Sequence, residues 1–175
     1  MLVRRAFRAI ILSSGITSIA CNAPDDASYA IQRLALDTLF NGREHARALV
    51  IWSSDSAGPV LESFLSKQSL RHKGSIDLTR LNPTLPTVAI DEASITRIFR
   101  EHPDAWAEFF RRYPRSSGLV EISTVRFSSG NRVADLLVGR TCGPHCQNAW
   151  QIVAKRDTSD TWKVAELHWI RVPET

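Results

Sequence analysis

The chain is short of cysteine, repeats and long apolar runs, and each shortage closes off a class of protein. Three cysteines in 175 residues are too few for a small scaffold stapled by several disulfides. The longest apolar stretch, Ala9 to Ala20, falls short of the roughly 20 residues a helix needs to cross a bilayer. No low-complexity tract or internal period appears. Charge of one sign is also scarce once its distribution is considered. Lys and Arg number 22 against 18 Asp and Glu, but Arg4, Arg5 and Arg8 fall in the first twenty residues, which hold no acid. Residues 21–175 therefore hold 19 bases against 18 acids, a net charge of +1 with His neutral. No basic run remains to track a phosphate backbone, which argues against nucleic acid as a partner. Arg111-Arg112 with Arg115 is the densest cluster and reads as the solvated face of a helix.

What is present begins with the leader. Residues 1–20 combine a basic start, a short apolar segment and small residues at the exit, the pattern of a secretory signal peptide. The exit, Ser18-Ile19-Ala20-Cys21, resembles the lipobox of bacterial lipoproteins, departing from it at Ser18, where an apolar residue is usual. That resemblance implies lipidation at Cys21 and a membrane anchor at the bacterial cell envelope. Ordinary cleavage after Ala20 is the alternative and leaves a soluble periplasmic or secreted protein. An odd number of cysteines supports the lipid, because Cys21 then leaves Cys142 and Cys146 to pair.

Residues 21–175 suffice for a single domain with its own core. Asp25-Asp26 open a helix that runs to about Phe40, and Asn41-Gly42 stops it. Ala48–Trp52 is an apolar run of strand length, and Pro59–Leu65 suits a second helix. Residues 68–90, with Pro83 and Pro86, read as a surface loop. Asp91 caps a helix bearing Ile95, Ile98 and Phe99. A further helix starts at Pro103-Asp104 and ends at Pro114, with Trp106, Phe109, Phe110 and Tyr113 spaced along one side. Four aromatics so placed suit either a ligand-stacking platform or, more simply, a helix buried against a sheet.

From Gly118 the hydrophobic period falls to two. Leu119–Ser128, Arg132–Thr141, Gln147–Lys155 and Thr161–Val172 read as four strands joined by short turns. The expected class is α+β: N-terminal helices packed on a C-terminal four-stranded antiparallel meander, with Ala48–Trp52 as a possible added strand. That outline is similar to the cone-shaped nuclear-transport-factor-2-like folds, an analogy that carries no activity.

Three constellations bear on chemistry. Cys142-Gly143-Pro144-His145-Cys146 is one residue longer than the motif of thiol–disulfide oxidoreductases. It is followed by a strand-like segment where those enzymes start a helix. Cys142, His145 and Cys146 lack a second ligand pair for a metal, so no metal or cofactor is expected. A hairpin disulfide fits best, because facing residues of antiparallel strands lie within disulfide reach. Glu166 and His168, two apart in the last strand, form a weak candidate acid–base pair if they face a pocket. A β-bulge near Ala165 would instead turn them to water, with Leu167 and Trp169 inside. The same phase ambiguity separates Val120 and Ile122 from Val125 and Phe127. Ser54–Gly58 faintly suggests a nucleophile elbow but lacks its first glycine, and a polar turn capping the next helix is the ordinary reading.

Trp106-Ala107-Glu108-Phe109, Tyr113-Pro114-Arg115-Ser116-Ser117-Gly118, Ser123-Thr124-Val125-Arg126-Phe127 and Trp162-Lys163-Val164 follow one another in a fixed order. They resemble the W-x2-F, Y-P-x-S-x-G, S-x-V-x-F and W-K-V features of a group of exported bacterial proteins of no known activity. The Cys142–Cys146 segment departs from that group, in which a glycine-rich turn is expected. The resemblance implies a bacterial source and export, and no catalytic residue transfers with it. The functional expectation is a lipid-anchored envelope domain that binds a protein or small-molecule ligand. The alternative is a small envelope enzyme using Glu166 and His168.

Overall fold

A computed structural model describes residues 26–42, 48–53 and 76–171 of the chain. The leader, Cys21, the Ser54–Gly58 turn and the segment 59–65 lie outside the described residues. Helix α1 (Asp26–Phe40) buries Ile31, Ala35, Leu36, Leu39 and Phe40. It ends where Gly42 turns left-handed, with φ +86°, and Asn41 N–H donates to the Asp37 carbonyl. Strand β1 (Ala48–Trp52) is buried along nearly its whole length. The short helix α2 (Leu78–Leu81) is capped by Asp77, whose carboxylate accepts from the Thr79 and Arg80 amides. Strand β2 (Thr87–Ile90) follows.

Helices α3 (Glu92–Glu101) and α4 (Ala105–Arg112) come next. Each starts at an aspartate that accepts a backbone N–H three residues on: Asp91 from Ser94 and Asp104 from Ala107. Pro114 cannot continue α4. The chain then enters β3 (Ser116–Ile122), β4 (Arg126–Phe127), β5 (Val133–Gly143), β6 (Cys146–Arg156) and β7 (Trp162–Ile170).

These strands form one seven-stranded mixed sheet in the order β2-β1-β3-β5-β6-β7, with β4 paired to β5. The expected four-stranded antiparallel meander capped by preceding helices is therefore incorrect. The antiparallel part survives as β3-β5-β6-β7. To it β1 adds in parallel beside β3, and β2 adds in parallel beside β1. Residues 68–90 are not all loop, since α2 and β2 lie within them. Parallel strands need long crossovers; the one that leads from β2 past β1 to β3 carries α3 and α4. The two faces of the sheet are consequently covered by different helices, which also removes the likeness to a cone with helices on one side.

One face packs against α1. Leu49, Ile51, Val120, Ile122, Leu136, Val138, Trp150 and Ile152 meet Ile31, Leu36 and Phe40 there. The Phe40 ring stands edge-on to Trp150, 6.2 Å between centroids. The opposite face of β1 and β3, carrying Val50, Trp52 and Leu119, packs against Ile98 of α3 and Phe109 of α4.

Both phase ambiguities prove to be breaks in the ladder. The expected strand 119–128 is interrupted at Ser123–Val125, separating β3 from β4. Ser123 maintains the hydrogen bonding across the break. Its amide donates to the Leu137 carbonyl, its hydroxyl accepts from the Leu137 amide, and its carbonyl accepts from Gln32 of α1. Val125 and Phe127 thereby rejoin Val120 and Ile122 on the α1 side. In β7, Val164 pairs with Ala154 and Glu166 with Val153, so Ala165 is the extra residue of a bulge.

Candidate functional site

An apolar cleft on the α3/α4 side lies at the end of the sheet nearest the cysteine hairpin. Its floor is one rung of the sheet. Leu119 of β3 pairs with Thr141 of β5, and Thr141 pairs with Gln147 of β6, so three adjacent strands present these side chains to one face. Trp52 of β1, Ile95 and Phe99 of α3 and Trp106 of α4 form one wall, and Gly143 and Pro144 form the opposite lip. The cleft has a volume of about 290 Å³ and no charged side chain lines it.

Sequence order explains the wall. Asp91 and Asp104 fix where α3 and α4 begin, and that phasing sends Ile98 and Phe109 into the sheet. Phe99 and Trp106 are left beside the cleft, packed edge to face with centroids 5.0 Å apart. Trp106 continues onto Phe109 at 5.3 Å. The four-aromatic helix is thus buried against the sheet through Phe109, while Trp106 also borders open space.

The lip depends on the cysteines. Cys142 and Cys146 lie at disulfide distance, with sulfur atoms at bonding separation and Cα atoms 5.0 Å apart. They do not face each other across a three-residue loop. Gly143 pairs with Cys146, Pro144-His145 makes the turn, and the register shifts between Thr141 and Gly143, leaving Cys142 as the extra residue. Gly118 of β3 runs directly under this bulge, with φ +105°. A Cβ there would lie 2.3 Å from the Thr141 carbonyl oxygen and 3.0 Å from Cys142. Only glycine permits the approach that sets the hairpin over the cleft.

Polar satisfaction marks one floor residue. Thr141 is 6% exposed, and its hydroxyl has no hydrogen-bond partner. Buried hydroxyls are ordinarily bonded, and one left unpaired costs about 1–3 kcal/mol. Ser116 and Ser117, at the start of β3, carry buried unpartnered hydroxyls as well. Gln147 beside Thr141 is half-buried and has both a donor and an acceptor to offer.

Glu166 and His168 lie elsewhere, on the edge strand β7. Their side chains are 48% and 56% exposed, and His168 Nε2 stands 3.1 Å from a Glu166 carboxylate oxygen. Lys155 Nζ approaches the other oxygen at 3.5 Å. The His168 hydrogen bond, reinforced by Lys155, holds the Glu166 carboxyl below its ordinary range. Burial in a pocket would have moved it upward. The bulge at Ala165 turns both residues away from α1, and Leu167 and Trp169 take the α1-side phase. There these two remain 46% and 62% exposed, because β7 ends the sheet.

Arg111 and Arg112 both grip Glu108 one turn back on α4. Those hydrogen bonds, with Arg111 the larger contributor, depress the Glu108 carboxyl to about 2. One carboxylate thus offsets part of the charge of the two guanidinium groups on the helix. Among the described residues, no three His, Cys, Asp or Glu side chains gather in a metal-binding group, and no helix is long and apolar enough to cross a membrane.

Of the residues singled out from the sequence, the structure brings the Cys142–Cys146 segment and Trp106 to one place and leaves Glu166 and His168 outside it. Trp52, Leu119, Thr141 and Gln147 were not foreseen there. Thr141 and Gln147 flank the cysteine pair, and that position was the available signal. Searches of protein-family models, curated proteins and solved structures find no match.

Proposed function

We propose that this chain is an exported bacterial envelope domain, anchored by lipid on Cys21, whose cleft beside the Cys142–Cys146 hairpin binds a small molecule. The single observation that carries ligand binding is the apolar cleft, lined by Trp52, Phe99, Trp106 and Leu119 and floored in part by Thr141, whose buried hydroxyl is unpartnered. Binding sites are typically such spaces, mostly apolar with a few placed polar groups. Export is supported by the basic, apolar and small-residue order of the leader and by the ordered resemblance to exported bacterial proteins. A disulfide between Cys142 and Cys146 suits the same compartment. The Glu166–His168 pair is exposed and its carboxyl is held ionised, so no observation favours the enzymatic alternative.

Ligand binding is tested by titrating the purified domain with neutral aromatic and alkyl probes while following the indole N–H signals of its tryptophans by NMR. Signals near the cleft are expected to shift in the wild type and to stop responding in an Ile95→Trp variant that fills the space. A full panel without any response would reject ligand binding at this site. The anchor is tested by intact mass of the mature protein and by membrane fractionation of a Cys21→Ala variant. An N-terminal Cys21 lacking a diacylglyceryl adduct would rule it out.

A further inference from the structure

Given ligand binding in the cleft, on which this inference rests, we infer that the ligand is a neutral aromatic molecule of one or two rings. It carries a single hydroxyl or ring N–H that hydrogen-bonds to Thr141 and Gln147. Size comes first. A volume of about 290 Å³ corresponds to roughly ten water-sized volumes of about 30 Å³ each, room for a bicyclic ring system and too little for a long acyl chain. Charge comes next. No ionised side chain lines the cleft, and an unpaired ion moved into so apolar a space would lose its hydration without compensation.

Ring shape follows from the wall. Phe99 and Trp106 already meet edge to face, and Trp52 stands with them, so a flat ring finds both faces and edges to pack against. The polar group follows from the floor. Thr141 and Gln147 sit directly across from each other on β5 and β6. The Thr141 hydroxyl is buried and forms no hydrogen bond. A small shift of this side chain would bring the hydroxyl to a ligand group in the cleft, with no existing hydrogen bond to break. A hydroxyl donates and accepts, and a carboxamide does both. One ligand group placed between them satisfies the orphan that the free protein leaves.

Four probes separate the possibilities: 2-naphthol, naphthalene, 2-naphthoate and 1-octanol, measured by equilibrium dialysis against the purified domain. 2-Naphthol is expected to bind most tightly, with naphthalene about tenfold weaker for want of one hydrogen bond. Thr141→Val keeps the side-chain shape and removes the hydroxyl. It should weaken 2-naphthol by about tenfold and leave naphthalene unchanged. Tighter binding of 1-octanol or 2-naphthoate, or equal losses for 2-naphthol and naphthalene in Thr141→Val, would overturn the ligand class while leaving a ligand site in place. If none of the four binds the wild type, or if Ile95→Trp binds them as tightly as the wild type does, the ligand site itself is refuted. Circular dichroism of both variants guards against mistaking unfolding for lost affinity.

Discussion

The two faces of the one sheet solve the same burial problem differently. Under α1 the contacts are mainly aliphatic, with Phe40 set against Trp150 and the phase break at Ser123 returning Val125 and Phe127 to the core. Under α3 and α4 the contacts are mainly aromatic: Phe99, Trp106, Phe109, Phe110 and Tyr113 form a chain of rings. Branched aliphatic side chains interdigitate closely, whereas on the ring-lined side a space stays open between Trp52, Phe99, Trp106 and the hairpin. The first face is built to close up. The second leaves a cleft, and that is where a ligand can enter without displacing core.

The strongest test of the contrast removes one fully buried ring from each face. Phe40→Ala should cost about 3–5 kcal/mol. Phe109→Ala should fall near the low end of that range, because neighbouring rings border open space and can relax toward the gap. Equal losses in chemical denaturation would break the comparison. Gly118→Ala should cost about 3 kcal/mol, combining backbone strain at φ +105° with a clash against the Thr141 carbonyl. It should also abolish probe binding, since the hairpin lip must move. Replacing both Cys142 and Cys146 with Ser should cost about 2 kcal/mol, as befits a five-residue loop, and should weaken binding on the α3/α4 side without altering the packing of Phe40 against Trp150.

Smaller effects come from charge. The Glu108 carboxyl is depressed to about 2 by Arg111 and Arg112, from an ordinary value of 4.5. A depressed acid stabilises the folded state above its unfolded pKa, and that contribution disappears as pH falls from about 4.5 toward 2. Glu108→Gln should lower stability at neutral pH and converge with the wild type near pH 2, so that the acid limb of a stability–pH curve flattens in that window. Glu166→Ala and His168→Ala, on exposed positions of an edge strand, should each alter stability by no more than about 0.5 kcal/mol. They should leave 2-naphthol affinity unchanged; a loss of binding would move the site to β7.

Much of this architecture is legible along the chain because it is local. Asp91 and Asp104 announce α3 and α4, Asn41-Gly42 ends α1, and the turns at residues 129–131 and 157–160 divide the later strands. What is not legible depends on distant partners. Thr87–Ile90 is four residues long, follows two prolines and is partly exposed, so only its pairing with Leu49–Trp52 makes it a strand. Ala48–Trp52 did carry a hint. An unbroken apolar run without alternation suits a strand covered on both faces, the habit of parallel sheets. The cleft was half legible: the cysteine segment and Trp106 stood out, and antiparallel pairing joins Leu119 to Thr141, yet bringing Trp52 beside them requires the parallel placement of β1 next to β3.

The bulge at Ala165 acts as a punctuation mark in β7. Residues before it and after it are addressed to faces by opposite parity, so deleting Ala165 alone would behave like a frame change confined to five residues. Glu166, His168 and Ile170 would be redirected toward α1, and Leu167 and Trp169 toward the other side. For this strand, residue identity and residue count carry separate messages, and a one-residue deletion would disturb it more than most replacements of its side chains.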